Sequence, residues 1–391
     1  MPGYKKMIAC ALTVTLLFTL SAQAVLSVAP LVEGVPVSVA CKSALLMEAS
    51  SGQIIFEKNA DEKRPVASVV KIMTILMCLE AIESGRCTLS DRVTISKNAS
   101  GMGGSQVLLD TGETQTLEVL VKSAVVGSAN DASVAIAEHI YGSQELFVSE
   151  MNKRAKQLGM TDTHFVNCTG LPAAGQYTTA RDVACMSQAL FSHDEYYQYS
   201  TVWMDTIDHG DGRHTDLTNT NRLIRLYDGC DGGKTGSTNE AGYCISATAQ
   251  RGGMRLIAVV LAASSGSERF DIAEKMFDYG FANYRINVVT EKGARVRGAM
   301  PVKSGVEDSV QLLLNNDLCL LMNKAESADI ELIPNLPKFV KAPVRAGDIV
   351  GTVDIARNGK IIAQIDVVAA KDVEREGFYD AWRRAWGRWL F

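Results

Sequence analysis

Residues 65–82, PVASVVKIMTILMCLEAI, carry Ile72, Met73, Leu76, Leu79 and Ile82 at steps of three and four, a spacing that predicts an amphipathic helix with one buried stripe. Ser68 and Lys71 open that helix. Three residues make almost one full turn, so the hydroxyl and the amine share a face and come within reach of each other. Both sit at the positive end of the helix dipole, where negative charge developing on oxygen is favoured. A serine needs a base to act as a nucleophile, and a lysine can be that base only if burial or a second cation drives its pKa down. Ser-x-x-Lys occurs once in the chain, and alone it fits an ordinary helix start equally well.

Upstream, SALLMEASSGQIIFEKN at 43–59 shows two strand-like runs around Ser50-Ser51-Gly52, a β-hairpin leading directly into the Ser68 helix. Gly85 ends the helical region. The glycine-rich SGMGG at 100–104 has no strand-then-helix context and is expected to be a flexible loop, not a phosphate cradle. Two helices follow, Leu117 to Gly127 and Asp131 to Ile140, with Asp131 the expected N-cap of the second. The break between them, Ser128-Ala129-Asn130, places Ser128 and Asn130 on a tight turn. Ser-x-Asn also occurs at Ser96 and Ser237, so by itself it says little. Further helices are expected at Glu145 to Leu158, closed by Gly159, and at Thr179 to Phe191.

In YDGCDGGKTGS, residues 227–237, Gly229-x-x-x-Gly233-Lys234-Thr235 falls one residue short of a phosphate-binding loop. A lysine of that kind must open a helix. Here GYCISATAQ, Arg251-Gly252-Gly253 and MRLIAVVLAAS read instead as two β-branched strands joined by a glycine turn. Lys234-Thr235-Gly236 therefore belongs to a strand at the edge of a hairpin, and the glycine lets something approach the backbone closely. A helix from Arg269 to Phe281 closes this region.

After Tyr284 the chain changes to short alternating runs with turn signals, which suggest a separate small β domain over 285–371. The end, GFYDAWRRAWGRWLF, sets Phe378, Trp382, Ala385, Trp386 and Trp389 opposite Asp380, Arg383, Arg384 and Arg388 on a helical wheel. Tryptophans opposed by arginines fit a helix lying in a membrane interface over 372–391, with docking on protein as the alternative.

Lys5 and Lys6, an apolar run from Met7 to Leu20 and Ala22-Gln23-Ala24 make residues 1–24 a secretory signal peptide, an uncleaved anchor being the other possibility. The composition over 391 residues, 47 % hydrophobic and 21 % charged, describes a folded chain of two or three domains. A net charge of −5 gives no reason to expect a nucleic-acid partner. Of nine cysteines, Cys10 leaves with the signal, and the rest show no zinc spacing. Cys78 and Cys185 fall in apolar helical patterns that suit buried thiols, although export would permit pairing elsewhere. His209 and His214 have no ligand cluster around them, so neither metal nor cofactor is expected.

Ser68-x-x-Lys71, Ser128-x-Asn130 and Lys234-Thr235-Gly236, in that order in an exported chain, are specific together where each is weak alone. With AGYCISATAQRGGMRLIAVVL, the hairpin before the helix and the sequence of signal, large domain, β domain and tail, they make the chain resemble the low-molecular-mass penicillin-binding proteins. These are serine-type D-alanyl-D-alanine carboxypeptidases of the peptidase S11-like family, and the resemblance spans nearly the whole mature chain. It implies an α/β (α+β) transpeptidase/β-lactamase-like domain over 25–284, with an antiparallel sheet and a helical cluster, then the β domain and the amphipathic helix. It further implies Ser68 as nucleophile, Lys71 as general base with Lys234 as the cation that depresses its pKa, Ser128 as proton relay, and Asn130 holding Lys71 and the substrate amide. Lys234, Thr235, Gly236 and Ser237 would bind substrate, with Arg269 as a helper for its carboxylate. Peptidoglycan stem peptides, β-lactams as inhibitors and the membrane surface would be the partners, on the extracytoplasmic face. Val70 replaces a threonine frequent between the serine and the lysine, and is expected to point into packing. A β-lactamase, a transpeptidase or endopeptidase on cross-links, and a non-catalytic β-lactam or muropeptide sensor are the competing functions. The preferred muropeptide stays open.

Overall fold

The computed structural model describes residues 39–325, 330–378 and 382. The signal peptide expected over 1–24, and residues 379–381 and 383–391 of the expected tail helix, lie outside the described residues.

Strands β1 (Cys41–Glu48) and β2 (Ile54–Lys58) form the expected hairpin. The Glu48 carboxylate closes its turn by accepting the Ser50 and Ser51 N–H groups at 3.0 and 2.7 Å. The chain then builds helices α1 (Lys71–Glu83), α2 (Leu117–Val126), α3 (Asn130–Tyr141), α4 (Gln144–Gln157) and α5 (Ala180–Phe191). It returns through β3 (Cys230–Thr238), β4 (Gly242–Arg251) and β5 (Met254–Ala263) to α6 (Glu268–Asn283). The five strands make one antiparallel sheet in the order β2-β1-β5-β4-β3, so β3 lies on an edge. Successive residues of β5 serve two different cores. Ile257, Val259 and Leu261 face the cluster of α1–α5, while Leu256, Ala258 and Val260 face Phe270, Met276 and Phe277 of α6. A strand covered on both faces has to read as a continuous apolar run, as MRLIAVVLAA does.

Three local expectations are corrected. First, α1 is buried on every side from Lys71 to Leu79, with Ile82 half-buried, so the single stripe is replaced by a core helix apolar all round. A 3₁₀ turn, Ala67–Val70, precedes it; Ser68 stands on this turn and Lys71 is the first α-helical residue. Second, the N-cap of α3 is Ala129, not Asp131. The Asp131 carboxylate instead accepts the Val107 and Leu109 N–H groups, each at 3.1 Å, because those buried donors have no strand partner there. Third, a helix at Asp194–Ser200 and a hairpin of Met204–Asp208 with His214–Thr218 were not expected. Each of those two strands buries a single side chain, Ile207 or Leu217, too faint a period to stand out.

Beyond α6 a second unit begins at Tyr284. Its main sheet has six strands around a core of its own, including Val310, Leu312, Ile355, Ile365 and Val367. The chain stays tied to this unit past residue 371. Val373 and Val344 exchange N–H···O bonds and Glu376 N–H donates to Ser304 O, so the boundary expected at 371/372 moves to at least 376. All eight cysteines among the described residues are free thiols, Cys78 fully buried and Cys185 half-buried.

Candidate active site

The 3₁₀ turn delivers Ser68 to the N-terminus of α1, and the backbone leaves ordinary helical space to do so, with Ala67 at φ +51°. Lys71 Nζ lies 3.0 Å from Ser68 Oγ and donates to the Thr169 carbonyl at 2.7 Å. Lys71 is wholly buried, and burial pushes its amine down to about 7, against small opposing effects of Cys168 and Asp131. Val70, as expected, packs into the core.

Lys234, on the edge strand β3, is also buried, its Nζ donating to the Thr235 carbonyl at 3.1 Å. Burial again comes first in holding its amine well below the usual lysine range, followed by the charges of Lys71 and Arg269. The two lysines therefore face one another closely enough to repel. The expectation that Lys234 is what lowers Lys71 is refined: burial is the leading cause at both amines, and the repulsion between them, which is mutual, comes second. We take both amines to be depressed and to titrate as a pair, because charging one raises the penalty for charging the other.

Two glycines bring these elements together. A Cβ at Gly236 would meet Val66 O at 2.5 Å and Ser68 N at 2.9 Å, so β3 lies directly on the Ser68 turn. Gly170, at φ +83°, lies equally close to the same turn, where a Cβ would meet Ala67 O at 1.9 Å. The nucleophile's turn is thus held by close contact with two other backbones.

Ser128 occupies the α2–α3 turn at φ +60° and is buried. Asn130 opens α3, and its Nδ2 donates to Gly103 O at 2.6 Å while Oδ1 is buried with no partner among the described residues. Among the described residues no hydrogen bond joins Asn130 to Lys71: the Asn130 NH2 group is committed to Gly103, and Oδ1, the atom able to accept from a lysine N–H, is left over. The 100–104 stretch is a loop, as expected, but a structured one that braces Asn130. Thr235 is buried and Ser237 exposed. Arg269, from α6, donates through Nη1 to the Gly236 carbonyl at 3.1 Å, and its buried Nε has no partner among the described residues. It reaches the cleft strand from behind.

Sequence reasoning missed the 167–171 segment, Asn-Cys-Thr-Gly-Leu, which supplies the carbonyl on Lys71 from 98 residues away. A glycine among small polar residues between two helices was the available signal. Glu83, His193 and Glu195 form one group of ligand-type side chains on the surface, with His193 Nδ1 2.6 Å from Glu83 Oε1, and no ligand-type residue of the three motifs belongs to it.

Residues 30–265 match the family model described as D-alanyl-D-alanine carboxypeptidase, peptidase S11, and residues 284–375 match that of the penicillin-binding protein 5 C-terminal domain. The chain is 38 % identical to D-alanyl-D-alanine carboxypeptidase DacF of Bacillus subtilis, over 89 % of its own length and 90 % of the relative's. It is 35 % identical to DacC of Escherichia coli over 88 % and 86 %. Among solved structures, penicillin-binding protein 5 of Haemophilus influenzae superposes with a TM-score of 0.76 at 30 % identity, covering 88 % of this chain and all of that one.

Proposed function

Since the chain belongs to the peptidase S11 family, and is a serine-type D-alanyl-D-alanine carboxypeptidase of the low-molecular-mass penicillin-binding type, we propose how its residues divide the reaction. Lys71 Nζ takes the proton of Ser68 Oγ, and the oxygen attacks the carbonyl carbon of the terminal D-Ala-D-Ala bond in a peptidoglycan stem peptide. The N–H groups of Ser68 and Ser237 hold the resulting oxyanion, a reading supported by the close approach of Gly236 to Ser68 N. The C–N bond then breaks, Ser128 passes a proton to the departing amine, and D-alanine leaves an ester on Ser68. Water cleaves that ester and restores the hydroxyl. Asn130 offers its open Oδ1 to a substrate amide N–H. Lys234 and Thr235 receive the terminal carboxylate, with Gly236 as the flat edge beside it and Arg269 as a reserve of positive charge behind. An arriving carboxylate favours the charged form of Lys234, and the repulsion between the amines then keeps Lys71 neutral and basic. β-Lactams acylate the same oxygen.

The observation that carries this reading is the Lys71 amine 3.0 Å from Ser68 Oγ in complete burial. D-Alanine release from a pentapeptide by the wild type, Ser68→Ala and Lys71→Ala tests it. Both variants are expected to lose release, and Ser68→Ala to lose the adduct with a fluorescent penicillin; equal release by Lys71→Ala overturns the base assignment.

Export and anchoring rest on the sequence. No helix among the described residues is long and apolar enough to cross a membrane. Residues 1–24 act as a signal peptide and the tail beyond Glu376 binds the membrane surface from the extracytoplasmic side, supported by its opposed tryptophan and arginine faces.

A further inference from the structure

Asn167 touches none of the reacting groups, yet its carboxamide organises the backbone that does. Asn167 Oδ1 accepts from Thr169 N at 3.2 Å, Thr169 Oγ1 at 3.2 Å and Gly170 N at 2.7 Å, and its Nδ2 donates to Leu171 O at 2.9 Å. Gln176 braces the same loop, accepting from Val166 N and Asn167 N at 2.9 Å each. Thr74 Oγ1 pins the neighbouring Cys168 carbonyl to α1 at 2.7 Å. The loop so fixed puts one carbonyl, Thr169 O, on Lys71 Nζ and one glycine, Gly170, against Ala67 and Ser68.

We propose that Asn167 is a positioning residue for the carboxypeptidase reaction, holding the Thr169 carbonyl so that the Lys71 amine aims its lone pair at the Ser68 hydroxyl. This rests on Lys71 as the base. A neutral amine has two N–H bonds and one lone pair. With one N–H committed to Thr169 O, the remaining freedom is rotation about that bond, which brings the lone pair onto Ser68 Oγ. When the O–H bond of Ser68 breaks and an N–H bond forms, Lys71 becomes an ammonium ion. Its bond to Thr169 O then becomes charge-assisted, stronger than before, so the carbonyl favours the transferred state. A loop that wanders by an ångström loses both effects. The charged and titratable groups facing Lys71 are Lys234 from β3, Asp131 from α3 and Cys168 from the loop itself, with Arg269 beyond Lys234.

The test is the acylation rate constant with benzylpenicillin from pH 5 to 10, beside Lys71→Ala as reference. Asn167→Ala is expected to acylate about 10- to 100-fold more slowly. Its acid limb should move to lower pH, because a carbonyl that stabilised the ammonium form has been released. Asn167→Asp keeps the acceptor for Thr169 N and Gly170 N, so it should recover most of the rate while its added negative charge moves the limb to higher pH. A residue serving stability alone would lower Tm and leave the limb in place. Wild-type rate and limb in Asn167→Ala, with Lys71→Ala inactive, overturn the inference and leave the base assignment standing. An active Lys71→Ala overturns the base assignment itself. Should Asn167→Ala not fold, Gln176→Ala and Asn167→Asp decide: an unmoved limb in both refutes the positioning role.

Discussion

Replacing Gly170 by alanine tests whether the 167–171 loop holds the nucleophile in place. The new Cβ would lie 1.9 Å from Ala67 O, 2.4 Å from Ala67 C and 2.9 Å from Ser68 N, all backbone atoms, where real Cβ contacts stay above 3.0 Å. Relieving the shortest contact means moving the loop and the Ser68 turn apart by at least 1.1 Å, the difference between 3.0 and 1.9 Å. No side chain can rotate out of the way. A misplacement of about 1 Å in a reacting group costs on the order of 100-fold in rate. The left-handed φ of +83° adds about 1 kcal/mol of strain for a residue with a Cβ. Gly175→Ala is the matched control, since its φ is +85° with nothing within 4 Å of a Cβ. We expect it to lose a similar amount of stability, roughly 2–4 °C in Tm for a unit of this size, and to acylate normally. Stopped-flow acylation by benzylpenicillin and D-alanine release should therefore fall about 100-fold in Gly170→Ala only. A folded Gly170→Ala acylating within about threefold of wild type would refute that hold, because the turn would then have tolerated an ångström of displacement.

Acylation should rise with pH around 7, since Lys71, at about 7, must lose its proton to act as base; a rate flat from pH 5 to 9 would assign the base elsewhere. Stability changes in the same direction. Between pH 7 and the ordinary lysine value the unfolded chain binds more protons than the folded one, so folding strengthens as pH rises through that window and is weakest below it. Lys71→Met, inactive, should make this slope shallower, leaving the part that the depressed Lys234 amine contributes, and melt higher than wild type at pH 7 by an amount corresponding to a few kcal/mol, the two melting curves converging near pH 10. Tyr196 is buried with its hydroxyl bonded to Gly233 N at 3.0 Å and Gly233 O at 3.3 Å, just before Lys234. Tyr196→Phe leaves that N–H without a partner and should cost about 1–3 kcal/mol of stability, seen in urea unfolding, while raising KM more than it lowers kcat. Ending the chain after Gly377 keeps the β-unit contacts through Glu376 and should abolish sedimentation with vesicles without changing D-alanine release; continued binding would place the membrane contact elsewhere.

Local sequence was a good guide wherever a short stretch decides its own structure. The hairpin before Ser68, the apolar β4 and β5, the helix ending at Phe191 and the stop at Gly159 follow from periodicity and end signals within about ten residues. Asp131 was misplaced because its partners, Val107 and Leu109, lie over twenty positions upstream, and no cap rule reaches that far. The partner of the Asn130 NH2 group was out of reach for a similar reason, being a carbonyl in the glycine loop 27 positions upstream.

What the chain determined by itself was the inventory, its order and the strand on which Lys234 stands, since helix and strand periods and the three short motifs are local properties. Only tertiary structure decided why Lys71 can be a base. Its amine is depressed first by enclosure, with a carbonyl from residue 169 beside it and two glycine backbones in close contact with the turn of Ser68. Burial is a property of everything packed around a group, and no spacing within one segment encodes it.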